Sequence, residues 1–454
     1  QCTNMVYSAT DAPDLSNLSA STWLYYTFYQ CSSITSLDLT GWTNTDNITA
    51  CTLLNLTGWD VSNVILANQA FRQIGSATAL GTGANIVMPD LDWTGATDAN
   101  NLYQMFVNTE FSVAPTVTGW TLPPGHNAQI AYMFYQTHGA FVLDLTGWTN
   151  TNKIISMSNF TKASEFTSID ITGWSTSSCT AYTYAFNSMP NLTHITGLST
   201  LDTSSVVGTG YVRMFGSTSK LTFGAAGSAT NFGVNWGPNM DAGDCSYMFH
   251  TTGATGGSPY GQPPYVANWD TSEITTMYQM FVSTYWSASL DFSNWDLSGL
   301  TVASGMMYFL HLNKGTTVVD FTNADLPSTI NNMTNTFYNN DVTTVTWGSG
   351  CDFSNVTTFS QHCNASDVTS YSFATNADFT ALAIGTNFLT GSQTMGTANY
   401  DNFLTRMDDT WVDPGGFSGT LTMGASTYTG GGAVATARAA LVTAGWTITD
   451  GGIA

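Results

Sequence analysis

One short block of residues returns along this chain and limits what the chain can become. It reads Leu37-Asp38-Leu39-Thr40-Gly41-Trp42, then returns as LNLTGW ending at Trp59, LDLTGW ending at Trp148 and SIDITGW ending at Trp174. Related forms end at Trp93, Trp120, Trp236, Trp269 and Trp295. A second block follows each Trp and closes on Met-Phe or a near equivalent, most clearly between Trp269 and Met280-Phe281. The closing Phe positions are Phe106, Phe134, Phe160, Phe186, Phe215, Phe249, Phe281, Phe309 and Phe337, most of them separated by about 26 to 28 residues. A unit of that size cannot bury a Trp and a Met-Phe pair by itself, but stacked copies share one continuous core. The period predicts a repeat solenoid of the leucine-rich-repeat kind.

Each coil has a readable internal plan. Leu37 and Leu39 alternate with Asp38 and Thr40, the period-2 pattern of a strand with one buried face. Gly41 lets the backbone turn and Trp42 folds inward. The segment after the Trp opens with Asp-Thr-Ser at 270–272, side chains that satisfy backbone donors at a turn. Met277, Met280 and Phe281 are spaced as one apolar face of a short helical turn. One coil is therefore a strand, a turn, a short helix or 3₁₀ turn, and a loop.

The ends differ from the middle. Residues 1–30 carry the cluster Trp23, Tyr25, Tyr26, Phe28 and Tyr29 and read as an N-terminal cap. Residues 31–395 read as the solenoid, about twelve coils long. Residues 396–454 read as a small α+β capping module. In it, an Ala-rich helix over Ala433–Ala444 is expected to bury Ala437, Leu441 and Val442, with Met423 and Ile448 on neighbouring strands.

Composition removes several function classes. Of 454 residues only 8 are Lys or Arg, against 30 Asp or Glu, for a net charge of −22. Such a chain cannot line a groove that neutralises phosphates, nor be drawn to an anionic lipid surface, so neither nucleic acid nor membrane insertion is expected. Charged residues make up 8 % of the chain, so its surface must be built from Thr, Ser, Asn and Gly. The chain begins at Gln1, which reads as a leader removed on export or as a start within a longer protein. Among seven cysteines, Cys31 with Cys51 and Cys351 with Cys363 are spaced as disulfides between neighbouring coils or as buried free thiols; Cys2, Cys179 and Cys245 complete the set.

No catalytic or phosphate-binding motif is present, and the six histidines are scattered without metal-ligand spacing. A non-catalytic protein is expected. The strand aspartates stand out: Asp38, Asp144, Asp170, Asp291 and Asp320 share one repeat position. Strands in adjacent coils lie about 4.8 Å apart, so neighbouring carboxylates repel unless something intervenes. Two readings stay open. Calcium is held between coils by Asp144, Asp170, Asp291 and Asp320, or each Asp caps backbone amides of its own turn.

The run Trp269-Asp270-Thr271-Ser272-Glu273-Ile274-Thr275-Thr276-Met277-Tyr278-Gln279-Met280-Phe281, with WDVSNV at 59–64 and NWDLSGL at 294–300, resembles the WDxSNVTxMxxMF repeat of BspA-like leucine-rich-repeat surface proteins. The ending, YDNFL at 400–404 through GWTITDGG at 445–452, resembles the module that closes such arrays. Similar arrays occur in secreted bacterial surface proteins and in some viral or phage fibres. The resemblance implies an extracellular, cell-surface or virion-surface protein for adhesion or display, and transfers no catalytic residues. The expected partners are further copies of the chain, as homo-oligomer or filament, or a cell-surface glycan. Three roles remain in play: an adhesive or self-assembling surface protein, a viral receptor-binding fibre, and a carbohydrate-binding module.

Overall fold

The computed structural model describes residues 67–72, 83, 85–225, 228, 231, 243–253, 262–301, 308–310 and 313–454, together with the strand backbones at Leu37–Asp38 and Leu53–Asn55. The proposed N-terminal cap, Trp42, Trp59, Trp236, Cys31 and Cys51 lie outside the described residues. The chain divides into two compact units, Gln1–Trp236 and Gly237–Ala454. Both are parallel β-solenoids, about 11 turns in all, and the second ends in a small α+β region.

The coil is best followed at Val142–Trp148 in the first unit. Strand Val142–Asp144 pairs in parallel with Ser168–Asp170, and that strand pairs with His194–Thr196, each residue facing its equivalent one coil on. Leu143 and Leu145 point inward and are fully buried. Gly147 then turns the chain with φ 75, and a Cβ there would sit 3.2 Å from the Gly119 Cα one coil below. That close approach and the left-handed backbone both require glycine. The turn drives Trp148 into the core, where its ring stacks on Trp120 at 4.8 Å and 9°. Its indole N–H donates to the Val117 carbonyl at 2.7 Å. Trp120 and Trp174 repeat that bond, to Met88 and Leu145.

The second half of the coil departs from the expected helical turn. Met277, Met280 and Phe281 are buried as the spacing predicts. The backbone, however, is a run of consecutive turns, because Gln279 and Ser283 are left-handed, with φ 56 and 55. The coil from Met157 shows the logic. The N–H groups of Met157, Asn159, Thr161 and Ala163 each donate 2.9 Å to a carbonyl of the next coil, from Ala181 to Asn187. The intervening N–H groups of Phe160, Lys162 and Ser164 bond back three residues within the run. A left-handed residue costs roughly 1–2 kcal/mol for a non-glycine. An inter-coil hydrogen bond returns about 1 kcal/mol, and the aligned apolar columns supply the rest.

The left-handed residues also correct the register. Phe106, Phe134, Phe186, Phe215, Phe249, Phe281 and Phe337 each follow one by two positions. Phe160 and Phe309 follow by only one, so Thr161 and Leu310 occupy the Phe column in those coils. Three residues beyond the Phe column runs a buried hydroxyl column. Thr137 and Thr284 donate to the Phe134 and Phe281 carbonyls at 3.0 and 2.9 Å.

In the second unit, strands Val318–Phe321, Thr344–Trp347 and Ser370–Ser372 pair in the same parallel register. Trp269 and Trp295 are buried and stack at 6.3 Å and 12°. Ala324 stands where a Trp would fall, and Phe321 fills the gap against Trp347, ring to ring at 4.9 Å. His362 is fully buried here. Its Nδ1 lies 2.8 Å from the Met333 carbonyl, so Nδ1 carries the proton. Nε2 then accepts from the Tyr371 hydroxyl at 2.9 Å, whose oxygen accepts the Trp347 indole N–H at 2.7 Å. Burial pulls the His362 pKa down to about 3, against an opposing bond to Met333.

Cys351 and Cys363 are not joined, which removes that disulfide. Both thiols are buried and free, as are Cys179 and Cys245. Contacts in this fold join residues a full coil apart, whereas these two are separated by about half a coil.

The C-terminal module begins after strand Ile384–Leu389. Helix α1 (Thr397–Thr410) and helix α2 (Gly432–Thr443) alternate with parallel strands Gly419–Met423 and Trp446–Thr449. Met423 and Ile448 do lie on these neighbouring strands. Phe403 of α1 packs on Phe379 and Phe373 of the last coil at 5.0 and 5.5 Å. Ala437 and Leu441 are buried, but Val442 is 45 % exposed: it sits one residue past Leu441, about 100° round the helix from the buried face. Arg438 clasps Asp450 with Nε and Nη2 at 2.8 and 3.1 Å.

Two outcomes follow. Trp148→Ala should cost roughly 3–5 kcal/mol in urea unfolding, the range for a buried aromatic truncation. Unfolded, His362 titrates near its ordinary 6.5, and folded only near 3. The unfolded state therefore binds the extra proton, and stability drains as pH falls from about 6.5, at roughly 1.4 kcal/mol per unit. Unfolding at pH 7.5, 5.5 and 4.5 should show this loss in the native chain relative to His362→Gln.

Candidate functional site

The run of turns buries its Met, Phe and Thr columns and leaves the left-handed residue and its neighbours at the surface. In the first unit these positions hold Tyr103 and Gln104, then Tyr132, Tyr135 and Gln136, then Lys162, Tyr184 and Arg213, all half-buried. Because equivalent positions stack, the side chains form a continuous stripe. Tyr103 meets Tyr132 at 5.6 Å, and Tyr132 meets Tyr135 at 5.5 Å, both edge to face. The Gln104 amide donates to the Tyr103 hydroxyl at 3.2 Å. Partial burial, then the neighbouring Tyr132, raises the Tyr103 pKa, so the stripe is uncharged there. Next along, the Lys162 ammonium lies 4.2 Å from the Tyr184 ring centroid, and the Arg213 guanidinium 5.9 Å from it.

The second unit has its own stripe. Tyr247, Tyr278 and Tyr308 stand ring to ring at 5.5 and 6.1 Å, edge to face. The Gln279 amide donates to the Tyr278 hydroxyl at 2.9 Å, as Gln104 does to Tyr103. Each stripe thus offers rings held by the backbone, with amide and phenol groups beside them. Such a surface stacks on apolar faces of a ligand and hydrogen-bonds its hydroxyls. The sequence signal is a Tyr just before Met-Phe, as in Tyr132-Met133-Phe134 and Tyr247-Met248-Phe249, or one residue earlier, as in Tyr103-Gln104-Met105-Phe106. The neutral surface was expected from the composition, but not this tyrosine column.

The strand aspartates sit elsewhere on the coil. Asp144 and Asp170 are register partners on adjacent strands. Each spends Oδ1 on its own turn: Asp144 accepts the Thr146 N–H and hydroxyl at 2.9 and 2.7 Å, and Asp170 the Thr172 N–H at 2.9 Å. Asp291 and Asp320 do the same for Ser293 and Thr322. The bond repeats at Asp92, Asp202, Asp244, Asp296, Asp352 and Asp378, so the Asp-x-Ser/Thr turn recurs through both units. Calcium takes six to eight oxygens. Among the described residues no three His, Cys, Asp or Glu side chains gather as a metal site.

A polar cavity of about 260 Å³ in the second unit is lined by Ser349, Cys351, Asp352, Asn376 and Asp378. Burial pushes the Cys351 thiol up to about 11, which keeps it protonated and a poor nucleophile. Among the described residues no helix is long and apolar enough to cross a membrane.

The family described as "Mycoplasma protein of unknown function, DUF285" matches this chain at residues 128–231 and again at 244–346, together just under half its length. Both matched segments consist of solenoid coils. No curated protein and no solved structure matches.

Asp144→Ala, which removes both bonds to Thr146, should lower stability by about 1 kcal/mol, and Asp144→Asn by less because the acceptor is kept. Urea midpoints at constant slope would measure both.

Proposed function

We propose that this chain works outside the cell as a non-catalytic, surface-displayed adhesive protein, and that the tyrosine stripes are its ligand-binding faces, with saccharide as the ligand. The observation that carries the reading is the stripe itself. Tyr103, Tyr132 and Tyr135 form a laddered aromatic surface with amides alongside. Sugars present C–H faces that stack on rings and hydroxyls that bond to amides and phenols. The low charge density supports a ligand held at many small contacts and not one steered by a strong overall field. The resemblance to surface-protein repeats supports the location, and the repeating coil supports a long ligand, since each coil adds one more contact.

The test is binding of the purified chain to an array of neutral and charged oligosaccharides, followed by titration of the best neutral binder. Tyr132→Ala with Tyr135→Ala should weaken that binding by roughly tenfold or more, since each lost stack is worth about 1 kcal/mol. Unchanged affinity in a folded double variant would overturn the reading. Concentration-dependent sedimentation without saccharide binding would instead favour assembly with further copies of the chain.

A further inference from the structure

We infer that the first unit's stripe carries an anion subsite formed by Lys162, Tyr184 and Arg213, and that the preferred ligand is a saccharide bearing carboxylate or sulfate groups; this rests on the saccharide reading of the stripe. The chain has only 8 basic residues and a net charge of −22. Two of those cations, from different coils, converge on one ring. Lys162 Nζ lies 4.2 Å and Arg213 Cζ 5.9 Å from the centre of Tyr184. Elsewhere the basic groups are used differently. Lys314, Arg406 and Arg438 each meet an aspartate at 2.9, 3.4 and 2.8 Å. Among the described residues Lys162 meets no carboxylate.

Its surroundings oppose its charge. Partial burial and the positive Arg213 both lower the Lys162 pKa. Asn159, the left-handed residue in Lys162's own coil, and Asn187, at the position equivalent to Lys162 one coil on, show that neutral residues fit the same columns. A ligand anion at this place would remove the repulsion, accept from the ammonium and from the planar guanidinium fork, and lie beside a ring that favours the cations.

Position gives the ligand its chemistry. Tyr132 and Tyr135 share the coil before that of Lys162, and Tyr184 lies on the coil after it, all along the same stripe. A chain of sugars lying along it would stack on those rings and bring an acidic group to the cations. A free inorganic anion would use only the second half of that surface.

The experiment compares three probes on the full chain by calorimetry: oligogalacturonate, its fully methyl-esterified form, and dextran sulfate oligomers. The expected result is binding of a charged probe at least roughly tenfold tighter than the ester. That advantage should shrink as salt rises from about 50 to about 500 mM. Lys162→Gln with Arg213→Gln should abolish the advantage, bringing the charged probe down to the affinity of the ester. Preference for galacturonate assigns a carboxylate ligand, and preference for dextran sulfate a sulfate ligand. Equal binding of ester and charged probes, or a folded double variant that keeps the preference, would overturn the subsite and leave the saccharide reading intact. Failure of all three probes to bind would overturn both.

Discussion

Everything in this fold depends on a backbone arrangement that no single coil can complete. In the run of turns every second N–H finds its acceptor in the next coil, as Met157, Asn159, Thr161 and Ala163 do. The requirement is geometric before it is energetic. Alternate donors can leave the run only if the chain reverses sharply between them, and the left-handed residues make that reversal. Once they are aligned from coil to coil, every other side chain is aligned too. The stacked Trp rings, the Phe column and the buried hydroxyls are consequences of the hydrogen-bond register, and they return the energy that the strained backbone costs.

The same alignment explains the composition. Any residue placed on a coil faces its equivalent roughly 4.8 Å away. A column of lysines or glutamates would repel along its whole length, whereas columns of Thr, Asn, Gln and Tyr hydrogen-bond or stack. Where like charges do face each other, as at Asp144 and Asp170, each carboxylate takes up the donors of its own turn. A charged fraction of 8 % is therefore what a stacked architecture of this kind selects. The paired cations around Tyr184 are the exception that this rule makes informative.

Much of this was legible in the sequence, because periodicity reports stacking directly. The LDLTGW block marks the strand and glycine turn before the buried Trp148 and Trp174, and its related forms mark the buried Trp269 and Trp295. The run after the Trp was harder. Met277, Met280 and Phe281 have helical spacing, and turns of this kind bury the same three positions without a helix. Glycine would have betrayed the left-handed sites, but Tyr132, Arg213 and Gln279 occupy them, residues that rarely adopt that conformation in isolation. Only the stacked state makes it affordable. The tyrosine stripe has a sequence mark, a Tyr at or just before the left-handed position, but that mark becomes a column only once the stacked register is known. Of the two readings open for Cys351 and Cys363, buried free thiols hold, because the coil brings together residues a full coil apart and these two are about half a coil apart.

The way the array ends follows from the same backbone rule. A coil whose run of turns gives its N–H groups to the next coil leaves donors unmet if no coil follows. The last such bonds in the second unit run from Gln361 and Cys363 to Thr386 and Phe388. Beyond them the turns give way to the parallel strands Ile384–Leu389, Gly419–Met423 and Trp446–Thr449, and α1 takes the place of the strand side, over Ser370, Phe373 and Ala377. A helix satisfies most of its N–H groups internally, so a coil that ends in a helix asks little of a successor. The parallel strands continue through Gly419–Met423 to Trp446–Thr449, while the other side of the coil has already become self-sufficient. Phe403 seals the aromatic column at Phe379 and Phe373, and Arg438 with Asp450 ties α2 to the turn that follows the last long strand. The helical module thus satisfies its backbone internally on one side of the stack, while strand Trp446–Thr449 is the outermost of its parallel sheet.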